Sequence, residues 1–292
     1  MTLINVMIDG NNAFPETNDI SANGGGIYME GSAAYIAESE LVNNNARNSG
    51  GGLYINHHFG AGDTTYILNS KIENNTSHDG AGIRGDNGEA GVLVIDGGTI
   101  NGNSCVDTTP GVREALRGGG MWLNSYHAIL SNLEISYNSA PSRGGGCAFY
   151  TNYSNLVHTP ILNNVTISNN YSNKGGGISI SEGSTPLLTN VLIHNNTAIN
   201  YTSTSDVGLY GNGGGISIER SHPTLINCTI ANNARGSDGL GAGIYLSGFN
   251  VGVSIANSII WDNIYINTLN GTVTLNIENS LIQGGYSGDG NI

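Results

Sequence analysis

The sequence predicts an all-β chain wound as a right-handed parallel β-helix, a solenoid of about nine to ten coils with three short strands each. Three observations carry this. A glycine triplet followed by an apolar residue recurs at Gly24-Gly26, Gly50-Gly52, Gly118-Gly120, Gly144-Gly146, Gly175-Gly177 and Gly213-Gly215, with looser copies at Gly80 and Gly241. A second half-repeat, N-x-x-I-x-x-N, starts at Asn5, Glu38, Asn69, Gly97, Asn132, Asn164, Asn190, Asn227, Asn257 and Asn279. No 3.6-residue apolar period survives between the glycines, so no long helix is expected.

The first strand of each coil follows its glycines. Ile27-Tyr28-Met29, Leu53-Tyr54-Ile55, Met121-Trp122-Leu123, Ile178-Ser179-Ile180, Ile216-Ser217-Ile218 and Ile244-Tyr245-Leu246 alternate apolar, variable, apolar. That period marks a strand with one face in a core. The glycines before it suit a tight turn that side chains would obstruct. A second apolar stretch comes next, as in Ala33-Ala34-Tyr35-Ile36 or Pro186-Leu187-Leu188.

The asparagine half closes the coil. Its fourth position reads Ile8, Leu41, Ile72, Ile100, Ile135, Ile167, Ile193, Ile230, Ile260 and Ile282. Such a column is expected to stack from coil to coil as a core ladder. Its closing position reads Asn11, Asn44, Asn75, Asn103, Asn138, Asn170, Asn196, Asn233 and Asn263. Asn tolerates left-handed turns, and stacked amides hydrogen-bond between coils, so these residues are assigned to the scaffold. Crossover chirality favours the right-handed winding.

The repeat runs through 1–292 and is read as one elongated domain. Repeat sequence follows Met1 at once, with no signal peptide, and Gly290-Asn291-Ile292 stops abruptly, so the chain reads as a piece of something longer. Longer connections near 13–23, 105–117 and 198–212 are expected on one edge of the coil, where solenoids place binding loops or simply tolerate extra length.

A net charge of −13 with nine Lys and Arg excludes nucleic acid as a natural partner, because phosphate binding needs a basic surface. No apolar run reaches membrane-spanning length, so no membrane insertion is expected of this segment. Cys105, Cys147 and Cys228 form no disulfide framework and are expected as buried thiols.

Candidate chemistry falls on the outward columns of the first strand. One reads Tyr28, Tyr54, Arg84, Trp122, Ala148, Ser179, Ser217 and Tyr245; the next reads Glu30, Asn56, Asp86, Asn124, Tyr150, Ser181, Glu219 and Ser247. Exposed aromatic rings beside carboxylates and amides make a sugar-stacking surface. The competing explanation is that Tyr and Trp favour strands and stack on neighbouring coils. The ligand-binding candidates are Tyr28, Tyr54, Arg84, Asp86, Trp122, Tyr150, Glu219 and Tyr245.

No catalytic residue is assigned, since no Asp-Asp pair and no Ser-His-Asp pattern stands out. The densest local cluster is Arg84 and Asp86, with His57, His58 and Asp63 one coil earlier and His78 and Asp79 at the adjoining turn. The histidines are read as scattered on the surface, although His57-His58 has the makings of a metal pair. No cofactor is expected. Calcium is the one ion the acidic composition suits, and Asp86-Asn87-Gly88-Glu89 resembles a calcium loop only faintly.

With those residues in view, the chain resembles bacterial surface β-helix proteins of the polymorphic outer-membrane-protein repeat type. Gly24-Gly25-Gly26-Ile27-Tyr28 and Asn190-Val191-Leu192-Ile193-His194-Asn195-Asn196 represent its two motifs. The segments from Asn257 and Asn279 are similar to secreted β-helix proteins that continue into a surface-anchoring region. The resemblance implies export and display outside the cell, and it supplies no catalytic residue. The expected function is therefore a non-catalytic stalk or adhesive module that binds glycans or a surface protein. The alternatives are a polysaccharide lyase or glycosidase using the Arg84/Asp86/His78 region, and a structural component that self-associates through its coil ends.

Overall fold

The computed structural model describes residues 1–14, 22–57, 64–107, 116–151, 159–200, 211–269 and 271–292, with the side chains of 87–90 left aside. The described residues contain no helix and build parallel strand ladders that pair coil to coil.

The first ladder includes Ile27–Glu30, Leu53–Asn56, Cys147–Tyr150, Ile178–Ser181, Ile216–Glu219, Ile244–Ser247 and Ile264–Asn267. Between Asn56 and Cys147 it continues through the opening residues of Ile83–Asn101 and Met121–Ser131. A second ladder begins at Thr2–Ile4 and Tyr35–Ala37 and ends at Val273–Glu278. A third begins at Met7–Asp9 and ends at Leu281–Ile282. Beside these three expected ladders runs a fourth of very short strands, among them Asn45–Ala46, Thr76–Ser77 and Thr197–Ala198, directly after the closing asparagines.

The isoleucine column is continuous. Ile8, Leu41, Ile72, Ile100, Ile135, Ile167, Ile193, Ile230, Ile260 and Ile282 are register partners from one coil to the next. All but Ile8 are buried in one core. Cys105, Cys147 and Cys228 are buried free thiols, as expected.

The glycine triplet has two separate causes, seen at Gly175-Gly177. Gly175 has φ of 66°, in the left-handed region that favours glycine. A Cβ on Gly176 would sit 2.6 Å from the Gly214 carbonyl oxygen, and one on Gly177 would sit 2.7 Å from that of Gly215. The backbone of the next coil therefore comes too close for any side chain.

The asparagines divide their labour differently from the expectation. Left-handed geometry falls on the first position of the motif, as at Asn132, Asn164 and Asn190, and on the sixth, as at Asn43, Asn169 and Asn232. The closing position instead forms a buried amide ladder. Asn138 Nδ2 donates to Asn170 Oδ1 at 3.0 Å and to the Ile100 carbonyl at 2.9 Å, and the Asn138 backbone N–H donates to the same Asn170 oxygen at 2.9 Å. The side-chain row runs from Asn11 through Asn44, Asn75, Asn103, Asn138, Asn170 and Asn196 to Asn233. Its last acceptor is Asp262 Oδ2, at 2.9 Å, not the expected Asn263. Asp262 occupies the sixth motif position but lacks the left-handed φ of Asn43, Asn169 and Asn232, so the backbone of this motif departs from the earlier ones where the acceptor changes.

Candidate functional site

The register brings all eight candidate residues onto the outer face of the first ladder. Tyr28, Tyr54, Arg84, Trp122, Ala148, Ser179, Ser217, Tyr245 and Tyr265 are successive partners in one column. Asp86, Asn124, Tyr150, Ser181 and Glu219 succeed one another in the parallel column two residues on.

The aromatic residues are not the open platform expected of them. Tyr28 is 50% exposed, but Tyr54, Trp122 and Tyr245 are only 8%, 7% and 5% exposed. Neighbours on the same face account for part of this. The rings of Tyr28 and Tyr54 stack at 5.3 Å, and those of Tyr245 and Tyr265 at 6.0 Å. The Arg84 guanidinium lies 3.1 Å from the centre of the Trp122 ring. That contact is a close cation–π pairing.

Arg84 is also clamped along its edge. Its Nε donates to Asp86 Oδ2 at 2.7 Å and its Nη2 to Oδ1 at 2.5 Å, a bidentate pair. Asn124 Nδ2 donates to the same Oδ1 at 3.1 Å. Burial raises the Tyr54 phenol above its ordinary range, and the nearby Asp86 charge adds to that.

A second set of side chains enters from the edge of the face. Arg117, Arg143 and Lys174 each stand directly before a glycine triplet, and backbone pairing aligns them one coil apart. Adjacent strands lie about 4.8 Å apart, so three cations in a row repel one another unless something compensates. Arg143 and Lys174 reach across to the opposite edge, where Arg143 Nη1 pairs with Glu219 Oε2 and Lys174 Nζ donates to Glu219 Oε1 at 2.5 Å. Ala148, Ser179 and Ser217, the column residues of these three coils, are small and buried. Burial alone would raise Glu219, but Arg143 and Lys174 outweigh it and bring its carboxyl down to about 2.

Arg117 has no such partner. Its guanidinium lies 5.1 Å from the Trp122 ring centre and 5.7 Å from that of Tyr150, and no hydrogen bond among the described residues uses its side-chain nitrogens. Burial, then the charge of Arg143, lowers its pKa, with the charge of Asp79 opposing them. Buried side-chain atoms without a hydrogen-bond partner in these coils include Arg84 Nη1, Arg117 Nε, Trp122 Nε1, Asn124 Oδ1, Thr151 Oγ1 and, three coils beyond Trp122, Ser217 Oγ. Buried polar atoms are normally paired, so these are exceptions.

The other sequence candidates separate. His57 is not on the surface: it is buried, with Nε2 3.0 Å from the Ser32 carbonyl and Nδ1 2.5 Å from Tyr126 Oη. Gly91, opposite it, cannot carry a side chain, because a Cβ there would meet the His57 ring. His78 is buried as well, with Nδ1 3.5 Å from Asp79 Oδ2. Asp79 Oδ1 accepts the Arg117 backbone N–H at 2.9 Å. His58, Asp63 and most of the three long connections lie outside the described residues. Both oxygens of Asp86 face nitrogen donors, and among the described residues no three acidic, His or Cys side chains gather for a metal.

Sequence reading missed Arg117, Arg143 and Lys174. Their signal is visible as Arg-Gly-Gly-Gly, Arg-Gly-Gly-Gly and Lys-Gly-Gly-Gly in three consecutive coils, in a chain with only nine basic residues.

Parallel ladders wound coil on coil define the class of right-handed parallel β-helix proteins. Residues 122–288 match the family model described as a right handed beta helix region. The chain belongs to that family. No curated protein matches it.

Proposed function

We propose that this β-helix is a non-catalytic binding module, displayed outside the cell, that holds a glycan on the outer face of the first ladder. The observation that carries the reading is the line from Tyr28 through Arg84 and Trp122 to Tyr150. It alternates ring faces with hydrogen-bonding groups, several of them buried and unpartnered. Sugars offer apolar C–H faces to rings and hydroxyls to such groups.

The state of the carboxylates supports binding over glycoside hydrolysis. A general acid needs a carboxyl that keeps its proton near neutral pH. Glu219 is held down by two cations, and Asp86 is engaged by Arg84 and Asn124. Arg84, the base in a lyase reading, is itself tied to Asp86 on two nitrogens.

A glycan array on the purified chain tests the reading, with Tyr28→Ala and Trp122→Phe as variants. Binding that weakens in either variant while both stay folded is expected. Binding unchanged in both removes the first-ladder face from consideration, and turnover of any polysaccharide removes the non-catalytic reading.

A further inference from the structure

The second ladder turns a different surface outward. Tyr35, Tyr66, Val94, Ile129, Ile161 and Leu187 are successive register partners in one of its columns. Tyr35 and Tyr66 are 39% and 41% exposed, and the other four are partly exposed. The residues beside them, Ile36, Ile67, Leu93, Leu130, Leu162 and Leu188, point inward and fill the core. Strands of this ladder therefore read as continuous apolar runs, as in Val92-Leu93-Val94-Ile95, Ile129-Leu130 and Leu187-Leu188. Parallel strands read that way when both faces of their sheet are covered. The first ladder does not: its outward column carries Arg84, Ser179 and Ser217.

We propose that the stripe from Tyr35 to Leu187 is the contact through which two copies of this chain pair face to face. Charge points to a second copy. At a net charge of −13 most of one copy's surface repels another, but the stripe itself carries no charged residue. Its two flanks are unlike and complementary. The column two residues earlier holds Thr64, Val92 and His127, and the column two residues later holds Asp96, Ser131 and Asn163. A two-fold axis along the solenoid reverses strand direction and keeps coil order, so each flank lies over the opposite flank of the other copy. His127, which offers a ring N–H in either tautomer, then meets the row that holds the Asp96 carboxylate, while the apolar stripe lies on itself. Sheets stack in this way about 10 Å apart.

The stripe is about 24 Å long and, with its flanks, about 13 Å across. That is less than the about 800 Å² per partner of a standard interface, so pairing is weak, with a Kd above about 1 μM. The contact uses none of the residues in the line from Tyr28 to Tyr150 and does not depend on the glycan reading. A pair would carry two such lines, and two linked sites hold a polymer more tightly than one.

The experiment is sedimentation equilibrium of the purified chain without glycan, from about 1 μM to about 1 mM. The average mass should rise toward that of two copies and stop there. Ile129→Lys, at the middle of the stripe, should weaken the association at least about tenfold. Lysine lowers the net negative charge, so the loss cannot come from stronger overall repulsion. Leu192→Lys makes the same change at an exposed apolar residue of the third ladder and should match the parent. Thermal melting shows which variants keep the fold, and Tyr66→Ser, at a more exposed position, serves where Ile129→Lys unfolds. A chain that stays monomeric to about 1 mM overturns the proposal. So does growth beyond two copies, which would mean stacking through coil ends. Association that survives in the folded stripe variants, or falls equally in Leu192→Lys, overturns it too. Each of these outcomes leaves the glycan reading untouched.

Discussion

Tyr126 Oη and His57 Nδ1 lie 2.5 Å apart inside the coil stack, joining residues 69 positions apart in the chain. His57 Nε2 faces the Ser32 carbonyl, which only accepts. Nε2 therefore carries the proton in neutral His57, and Tyr126 donates to Nδ1. Tyr126 also fills the core space that Gly85 leaves, where a Cβ would come within 3.1 Å of its ring.

The first prediction concerns this pair. Tyr126→Phe keeps the ring and strands a buried imidazole nitrogen. Urea unfolding should show a loss of about 2 kcal/mol. A variant as stable as the parent would mean that the bond contributes nothing.

The amide ladder gives the second. Asn138→Ala leaves the Asn103 side-chain and backbone donors and the Ile100 carbonyl short of partners, at a cost of about 3 kcal/mol. Asn138→Asp should be no better, since a carboxylate would confront the Asn170 and Ile100 oxygens. Asp262→Asn should change stability by less than about 1 kcal/mol, because that position only accepts. Equal losses at 138 and 262 would refute the ordering.

Acid titration tests the Glu219 cluster. Its folded pKa of about 2 lies below its ordinary value near 4.5. The stability it contributes is complete above the unfolded value and is lost as pH falls from about 4.5 toward 2. In Glu219→Gln that loss should disappear from the difference between melting curves at pH 6 and pH 3. The variant should also be less stable at pH 6, because Arg143 and Lys174 lose their common partner.

At the alkaline end the sign reverses. Burial raises the thiols of Cys105 and Cys147 and the phenol of Tyr126. Groups raised in the folded state stabilise it fully below their unfolded values, about 8.5 for a thiol and about 10 for a phenol. Above these pH values the unfolded chain releases protons that the folded one retains, and stability should decline. The thiols should also resist a disulfide reagent until urea unfolds the chain; prompt reaction in the folded state would contradict their burial.

The coil stack was legible because its signals are local and periodic. The Ile column and the two outward columns follow from alternation alone, since a strand offers only two faces. Contacts that cross coils were not legible in this way. Nothing local in the sequence shows that Arg143 reaches Glu219 two coils further on. His57 looked like a surface histidine because its partner, Tyr126, belongs to a later coil. The role of Asp262 was hidden by motif alignment, which puts Asn263 at the closing position while Asp262 accepts from Asn233.

The amide row also has a direction. In every step the NH₂ group donates to the amide oxygen of the later coil while its own amide oxygen accepts from the earlier one, as in Asn44 to Asn75 and Asn196 to Asn233. From Asn44 to Asn233 it also donates to a carbonyl of the earlier coil. Eight side-chain dipoles thus add head to tail along the solenoid axis, with the positive end at Asn233. Asp262 puts a full negative charge on that end, as an acidic residue does at the N-terminus of an α-helix. A carboxylate cannot pass a proton onward, so the row terminates there. Beyond it the final coils stay joined by strand pairing and by backbone N–H bonds to the Ser258 and Ser280 hydroxyls, a contact that Ser39 and Ser70 also make in the first coils. The solenoid therefore has an electrical polarity, and Asp262 marks where it stops.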